Sequence, residues 1–120
     1  SSAIATPFFV DISDSGNLRT YAQNASTRYF TVIPIQLNKL YHFICTRTGN
    51  AQESNYINSN FINSRTFATA PGMSGFRWLG GDSTGFYLNC NIYLVRAYTR
   101  VLTQSEINQN FNATKSRFNL

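Results

Sequence analysis

The pattern of apolar and polar positions alternates at the period of β structure over most of the chain. Pro7-Phe8-Phe9-Val10-Asp11-Ile12 reads as a first strand, and Ser13-Asp14-Ser15-Gly16-Asn17 supplies residues that accept tight turns. Leu18-Arg19-Thr20-Tyr21 returns, which predicts a hairpin. Tyr29-Phe30-Thr31-Val32-Ile33 is β-branched and aromatic, and Pro34 should end it or place it at an edge. In residues 40–47, Tyr41, Phe43 and Cys45 share one face of a strand and His42, Ile44 and Thr46 share the other. Both faces are largely apolar, so a central strand is expected. Tyr56-Ile57 and Phe61-Ile62 flank Asn58-Ser59-Asn60, whose residues tolerate left-handed backbone geometry, so a second hairpin is predicted there. Pro71, Gly72 and Gly75 mark a longer loop, Phe76-Arg77-Trp78-Leu79 a short strand, and Gly80-Gly81-Asp82 a break. The run from about Phe86 to Tyr98 is the longest apolar stretch, expected to be a strand covered on both faces.

One helix stands out at the end. Thr103-Gln104-Ser105-Glu106 is a capping box: the Thr103 hydroxyl accepts from the Glu106 N–H, and the Glu106 carboxylate accepts from the Thr103 N–H. Leu102 and Ile107 stand at the staple positions. Ile107 and Phe111 repeat at helical spacing, which turns Asn108, Gln109 and Asn112 to water. Lys115 and Arg117 fall where the helix dipole favours cations. Many strands and one short helix predict an all-β domain with two antiparallel layers.

Composition changes the picture in three ways. With 42% hydrophobic and 15% aromatic residues in 120, the chain has the material for one core and is not disordered. Its charged fraction is only 12%, and Asn, Ser and Thr fill the polar positions, an extracellular or virion-surface composition. The net charge of +5 is spread along the chain with no basic block, so nucleic acid is not an expected partner. Cys45 and Cys90 lack a CxxC or a histidine-rich neighbour, which argues against zinc. They read as two buried free thiols, with a single disulfide as the alternative. No stretch is long and apolar enough to enter a membrane, and no leader is apparent. The absent initiator Met implies processing, or excision from a longer polypeptide.

Four segments follow one another in order: Leu40-Tyr41-His42-Phe43-Ile44, Tyr56-Ile57-Asn58-Ser59, Leu79-Gly80-Gly81-Asp82, and Val95-Arg96-Ala97-Tyr98-Thr99-Arg100-Val101-Leu102-Thr103-Gln104-Ser105-Glu106-Ile107. Together they resemble the laminin G-like, concanavalin A-like family of jelly-roll sandwiches, in the version carried by bacterial, phage and viral surface proteins. The last block is the specific one. Tyr41 stands where the family usually has Trp, and Ser59 where it usually has Gly. The resemblance implies a single laminin G-like jelly-roll domain over residues 1–120. It also implies first strands before Ser1, supplied by a preceding segment or a neighbouring subunit.

The candidate chemistry is sparse. Glucanases related to the family use Glu-x-Asp-x-x-Glu, two carboxylates flanking the glycosidic bond, and that motif is absent. Glu53 lies next to a turn and Glu106 is occupied by the cap, while Asp11 and Asp14 point to opposite faces. His42, the one histidine, has no nucleophile beside it and reads as structural. Calcium is the metal the resemblance brings in, with Asp14, Asn17 and Asp82 as loop oxygens, although Asp14 to Asn17 is equally turn chemistry. No other cofactor is expected. A glycan would need an aromatic platform beside polar side chains, which Tyr56, Tyr87, Arg77, Asn89 and Asp82 would supply, or these are plain outward-facing residues. The sequons at Asn24 and Asn112 are read as chance.

Together these readings lead to the expectation of a non-enzymatic, lectin-like binding or assembly module at a virion surface or outside the cell. It would decorate a capsid or serve in host attachment, with assembly subunits and glycans as partners. The alternative is a carbohydrate-binding or adhesion module of a secreted cellular protein, assisted by calcium. The warrant for the setting is family analogy.

Overall fold

The computed structural model describes residues 9–13, 15–23, 28–48, 52–66 and 89–120. They fall into two compact units. The first holds three antiparallel strands in the order β1-β2-β3: β1 Phe9–Ile12, β2 Leu18–Gln23 and β3 Arg28–Ile33. The β1–β2 turn is built as its residues foretell. Gly16 takes φ 79° and its N–H donates to the Ser13 carbonyl at 2.8 Å. Asp11 and Arg19 face each other in register and join in a two-pronged ion pair at 2.8 and 2.6 Å. Along β3, Thr31 and Ile33 are buried and Val32 is exposed, the period-two alternation of a sheet with one covered face. β3 ends at Ile33, directly before Pro34, as expected.

The second unit holds a sheet in the order β4-β5-β6 and the helix α1. Its strands are β4 Phe43–Thr48, β5 Gln52–Ile57 and β6 Asn60–Thr66, all antiparallel. β4 begins three residues later than the sequence predicts. At His42 the backbone N–H donates to the Asn58 side-chain oxygen at 2.9 Å, and the His42 carbonyl accepts from the Asn58 N–H at 2.8 Å. A side chain thus replaces a ladder carbonyl and closes the strand. Among the described residues β4 pairs with β5 alone. The β5–β6 turn carries Asn58 at φ 49° and Ser59 at φ 68°, the paired left-handed residues of a tight hairpin. A bulge at Asn55/Tyr56 follows, and it brings Tyr56 opposite Phe61.

α1 spans Gln104–Lys115 and starts as its sequence dictates. The Thr103 hydroxyl accepts from the Glu106 N–H at 3.3 Å, and the Thr103 N–H donates to the Glu106 carboxylate at 2.8 Å. Leu102 and Ile107 are both buried, and Asn108, Gln109 and Asn112 are exposed. Two antiparallel three-stranded sheets and one C-terminal helix give the mostly β class expected from the sequence.

One expectation fails clearly. Residues 89–97 form no strand, and Ile92, Tyr93, Leu94 and Val95 are 42 to 62% exposed. An apolar run specifies a strand only when a neighbouring ladder takes up its backbone groups, and periodicity cannot announce that neighbour. Cys90 is consequently exposed rather than buried, and Cys45 is half-buried; both thiols are free. The predicted strand at 76–79, the loop at 71–75 and the break at 80–82 lie outside the described residues.

Candidate functional site

In the second unit a groove of about 620 Å³ runs between the β5–β6 turn and α1. The turn contributes Asn58, Ser59, Asn60 and Phe61; the helix contributes Gln104, Asn108, Phe111, Asn112 and Lys115. The helical set is spaced by threes and fours, so it forms one stripe of α1. The turn presents its side chains because Asn58 is pinned at both backbone and side chain by His42.

The two walls are joined. Gln104 Nε2 donates to the Ser59 carbonyl at 2.9 Å and to Asn108 Oδ1 at 2.9 Å. Asn60 Nδ2 donates to the Asn58 carbonyl at 3.3 Å. The Phe111 ring lies 5.7 Å from that of His42. Lys115 holds its ammonium 5.9 Å from the centre of the Phe111 ring, within cation–π reach. Phe61 is 55% exposed and is propped from behind by Tyr56, edge-on at 5.7 Å. The groove therefore offers an exposed ring, a row of amides and one cation.

The helix start that forms one wall is reinforced. Arg100 grips Glu106 with both guanidinium nitrogens, at 2.8 and 2.5 Å. Bonding to Arg100, and then to the Thr103 N–H, holds the Glu106 carboxyl down at about 2.

On the other face of β4–β6 from Tyr56, Glu53 stands in register between Arg47 and Arg65, and Asn55 stands between Cys45 and Asn63. Glu53, the second residue of β5, and Asn55 are fully buried. Asn55 Nδ2 donates to Glu53 Oε1 at 3.0 Å and to Asn63 Oδ1 at 3.1 Å. Burial, with the nearby Glu53 charge, pushes the Cys45 thiol far above its usual range.

The residues singled out from the sequence are scattered. Tyr56 meets the Phe61 ring edge-on from the neighbouring strand and does not line the groove. Asn89 is exposed and lies in no strand. Arg77, Asp82 and Tyr87 lie outside the described residues, as does Asp14. The Asn17 N–H donates to Ser13 Oγ at 3.2 Å and the Asn17 carbonyl accepts from the Ser13 N–H at 2.8 Å, which closes the β1–β2 turn. Among the described residues no three His, Cys, Asp or Glu side chains gather as a metal would need. Sequence reasoning missed Phe61, Asn108 and Lys115 as groove residues. The Asn-rich stripe of α1 and the Asn58-to-Phe61 turn were both visible, but nothing local places them together.

Comparison with known proteins fits this architecture. The sequence profile of a laminin G family in the concanavalin A-like lectin/glucanases superfamily matches residues 2–108. The chain belongs to that superfamily, which gathers sugar-binding lectins with glucanases, as the four sequence segments implied. No curated protein matches it significantly. Among solved structures it is similar to an S-layer domain-containing protein (residues 221–444) from Clostridium thermocellum, with 16% identity and a TM-score of 0.42. That match covers 92% of this chain and 59% of the other, and is too loose to bear on function.

Proposed function

We propose that the chain is a non-catalytic, lectin-like binding module acting at a surface or outside the cell, and that it takes up carbohydrate in the groove between the β5–β6 turn and α1. The observation that carries this reading is the lining: five amide side chains and Ser59 arranged around the exposed Phe61 ring. Amides bond hydroxyls, and a ring covers the apolar face of a sugar. Membership in a superfamily that includes lectins supports carbohydrate as the class of ligand.

The described carboxylates favour binding over hydrolysis. Glycoside cleavage needs two carboxyl groups flanking one bond. Asp11 is held by Arg19, and Glu106 by Arg100 and Thr103. Glu53 accepts from Asn55, so its same-face neighbour two residues on is an amide and not a second acid. The virion setting expected from family analogy and composition draws no support from the superfamily match, and the proposal is confined to a surface or extracellular module.

A glycan array probed with the intact chain tests the reading. We expect binding to a defined glycan class, abolished in Phe61→Ala and in the double variant Asn108→Ala/Asn112→Ala while both variants remain folded by circular dichroism. A silent array, or release of reducing ends from a bound glycan, would overturn it.

A further inference from the structure

The hydrogen-bond directions inside the groove say which kind of sugar it suits. Asn58 Oδ1 accepts from the His42 backbone N–H, a group that can only donate, so the orientation of the Asn58 amide is settled and its Nδ2 is what it offers outward. Gln104 Nε2 donates to the Ser59 carbonyl, which can only accept, so the Gln104 amide is oriented too. Its second proton goes to Asn108 Oδ1. Asn108 is thereby left, like Asn58, with its N–H groups to give. Two amides that could have offered a mixture of donors and acceptors have their oxygens committed to the protein.

Charge points the same way. Lys115 is the one ionised side chain among the described residues lining the groove, and no carboxylate lines it. The one acid of α1, Glu106, lies off this stripe and is paired with Arg100. The ammonium beside Phe111 therefore acts without a competing anion in the lining. A neutral hydroxyl can bond these amides but leaves the Lys115 charge unanswered. A carboxylate accepts through two oxygens and carries the complementary charge.

Building on the carbohydrate reading above, we propose that the groove is selective for an acidic glycan. A sugar carboxylate, as in a uronic acid, sits on Lys115 and the amide N–H groups of Asn58 and Asn108, while the sugar ring packs on Phe61. The binding is non-covalent, and the groove performs no chemistry on the sugar.

Calorimetric titration of the intact chain with trigalacturonic acid and with its methyl ester tests this, because the two share every hydroxyl and differ in charge. We expect the acid to bind about tenfold more tightly than the ester, the size of effect a charge-assisted hydrogen bond provides. The gap should narrow between roughly 0.05 and 0.5 M salt, as screening shortens. Lys115→Gln should close the gap and Lys115→Arg should keep it, with both variants melting as the parent does. Equal affinity for acid and ester would overturn the acidic preference while leaving carbohydrate binding intact. So would a failure of both probes alongside a neutral sugar found on the array. Failure of both probes with a silent array would overturn the two readings together.

Discussion

Gln104, in the first turn of α1, donates its side-chain N–H to the carbonyl of Ser59, 45 positions earlier in the chain, at 2.9 Å. This bond ties the helix start to the β5–β6 turn and sets the width of the groove between them. Gln104→Ala should lower stability by about 0.5 to 1 kcal/mol, the net worth of one such hydrogen bond. It should weaken ligand binding by a larger factor than that destabilisation accounts for, since it also releases Asn108. Urea unfolding paired with calorimetry checks both; binding unchanged in the folded variant would show that the tie does not shape the groove.

The helix start responds to mutation and to pH. Thr103→Ala should cost about 1 kcal/mol through loss of the N-cap acceptor.

Glu106 has its folded-state carboxyl lowered from 4.5 to about 2, first by Arg100 and then by the Thr103 N–H. A depressed acid stabilises the fold above its unfolded value, and that contribution is lost as the pH falls through the folded one. The melting temperature should therefore drop as the pH falls from about 4.5 toward 2. Glu106→Gln, lacking the titrating group, should melt lower at neutral pH and respond less over that window. Parallel curves for parent and variant would deny the ion pair its role.

Ser59 holds φ 68° at a position where a side chain is a burden and a glycine is at ease. Ser59→Gly should raise stability by roughly 0.5 to 1 kcal/mol, part of the cost of placing a non-glycine residue in left-handed geometry. Its carbonyl still accepts from Gln104, so the tie between the turn and α1 should persist. A lower unfolding midpoint would place the strain elsewhere.

The two thiols should separate chemically. Cys90 is exposed, whereas burial raises the Cys45 thiol and suppresses the thiolate that reacts. A thiol-specific chromogenic reagent at mildly alkaline pH should modify one cysteine rapidly in the native chain and the second only on unfolding. Rapid reaction of both would contradict the packing around β4.

What the sequence disclosed follows the range of the interactions concerned. The capping box from Thr103 to Glu106 and the turn at Ser13 to Asn17 are complete within a few residues, and both form as read. The Asn58-Ser59 turn was legible for the same reason, since left-handed tolerance is a property of those residues alone. The fate of residues 89–97 depends on a partner strand, which no property of Ile92 or Leu94 reveals. The groove was illegible because it exists only where a turn and a helix far apart in the chain meet. Tyr56 reads as the aromatic of the hairpin, but it is its cross-strand partner Phe61 that lines the groove, and the register shift that pairs them is not visible in either residue alone.

The most direct measurement on the central claim is amide chemical-shift mapping of the isotopically labelled chain during titration with trigalacturonic acid. We expect the perturbed resonances to gather on Asn58 to Phe61 and on the Gln104, Asn108, Phe111, Asn112 and Lys115 stripe of α1. Perturbations confined to the β1–β2 turn or to residues 89–97, or none at saturating ligand, would contradict the assignment of this groove as the binding site.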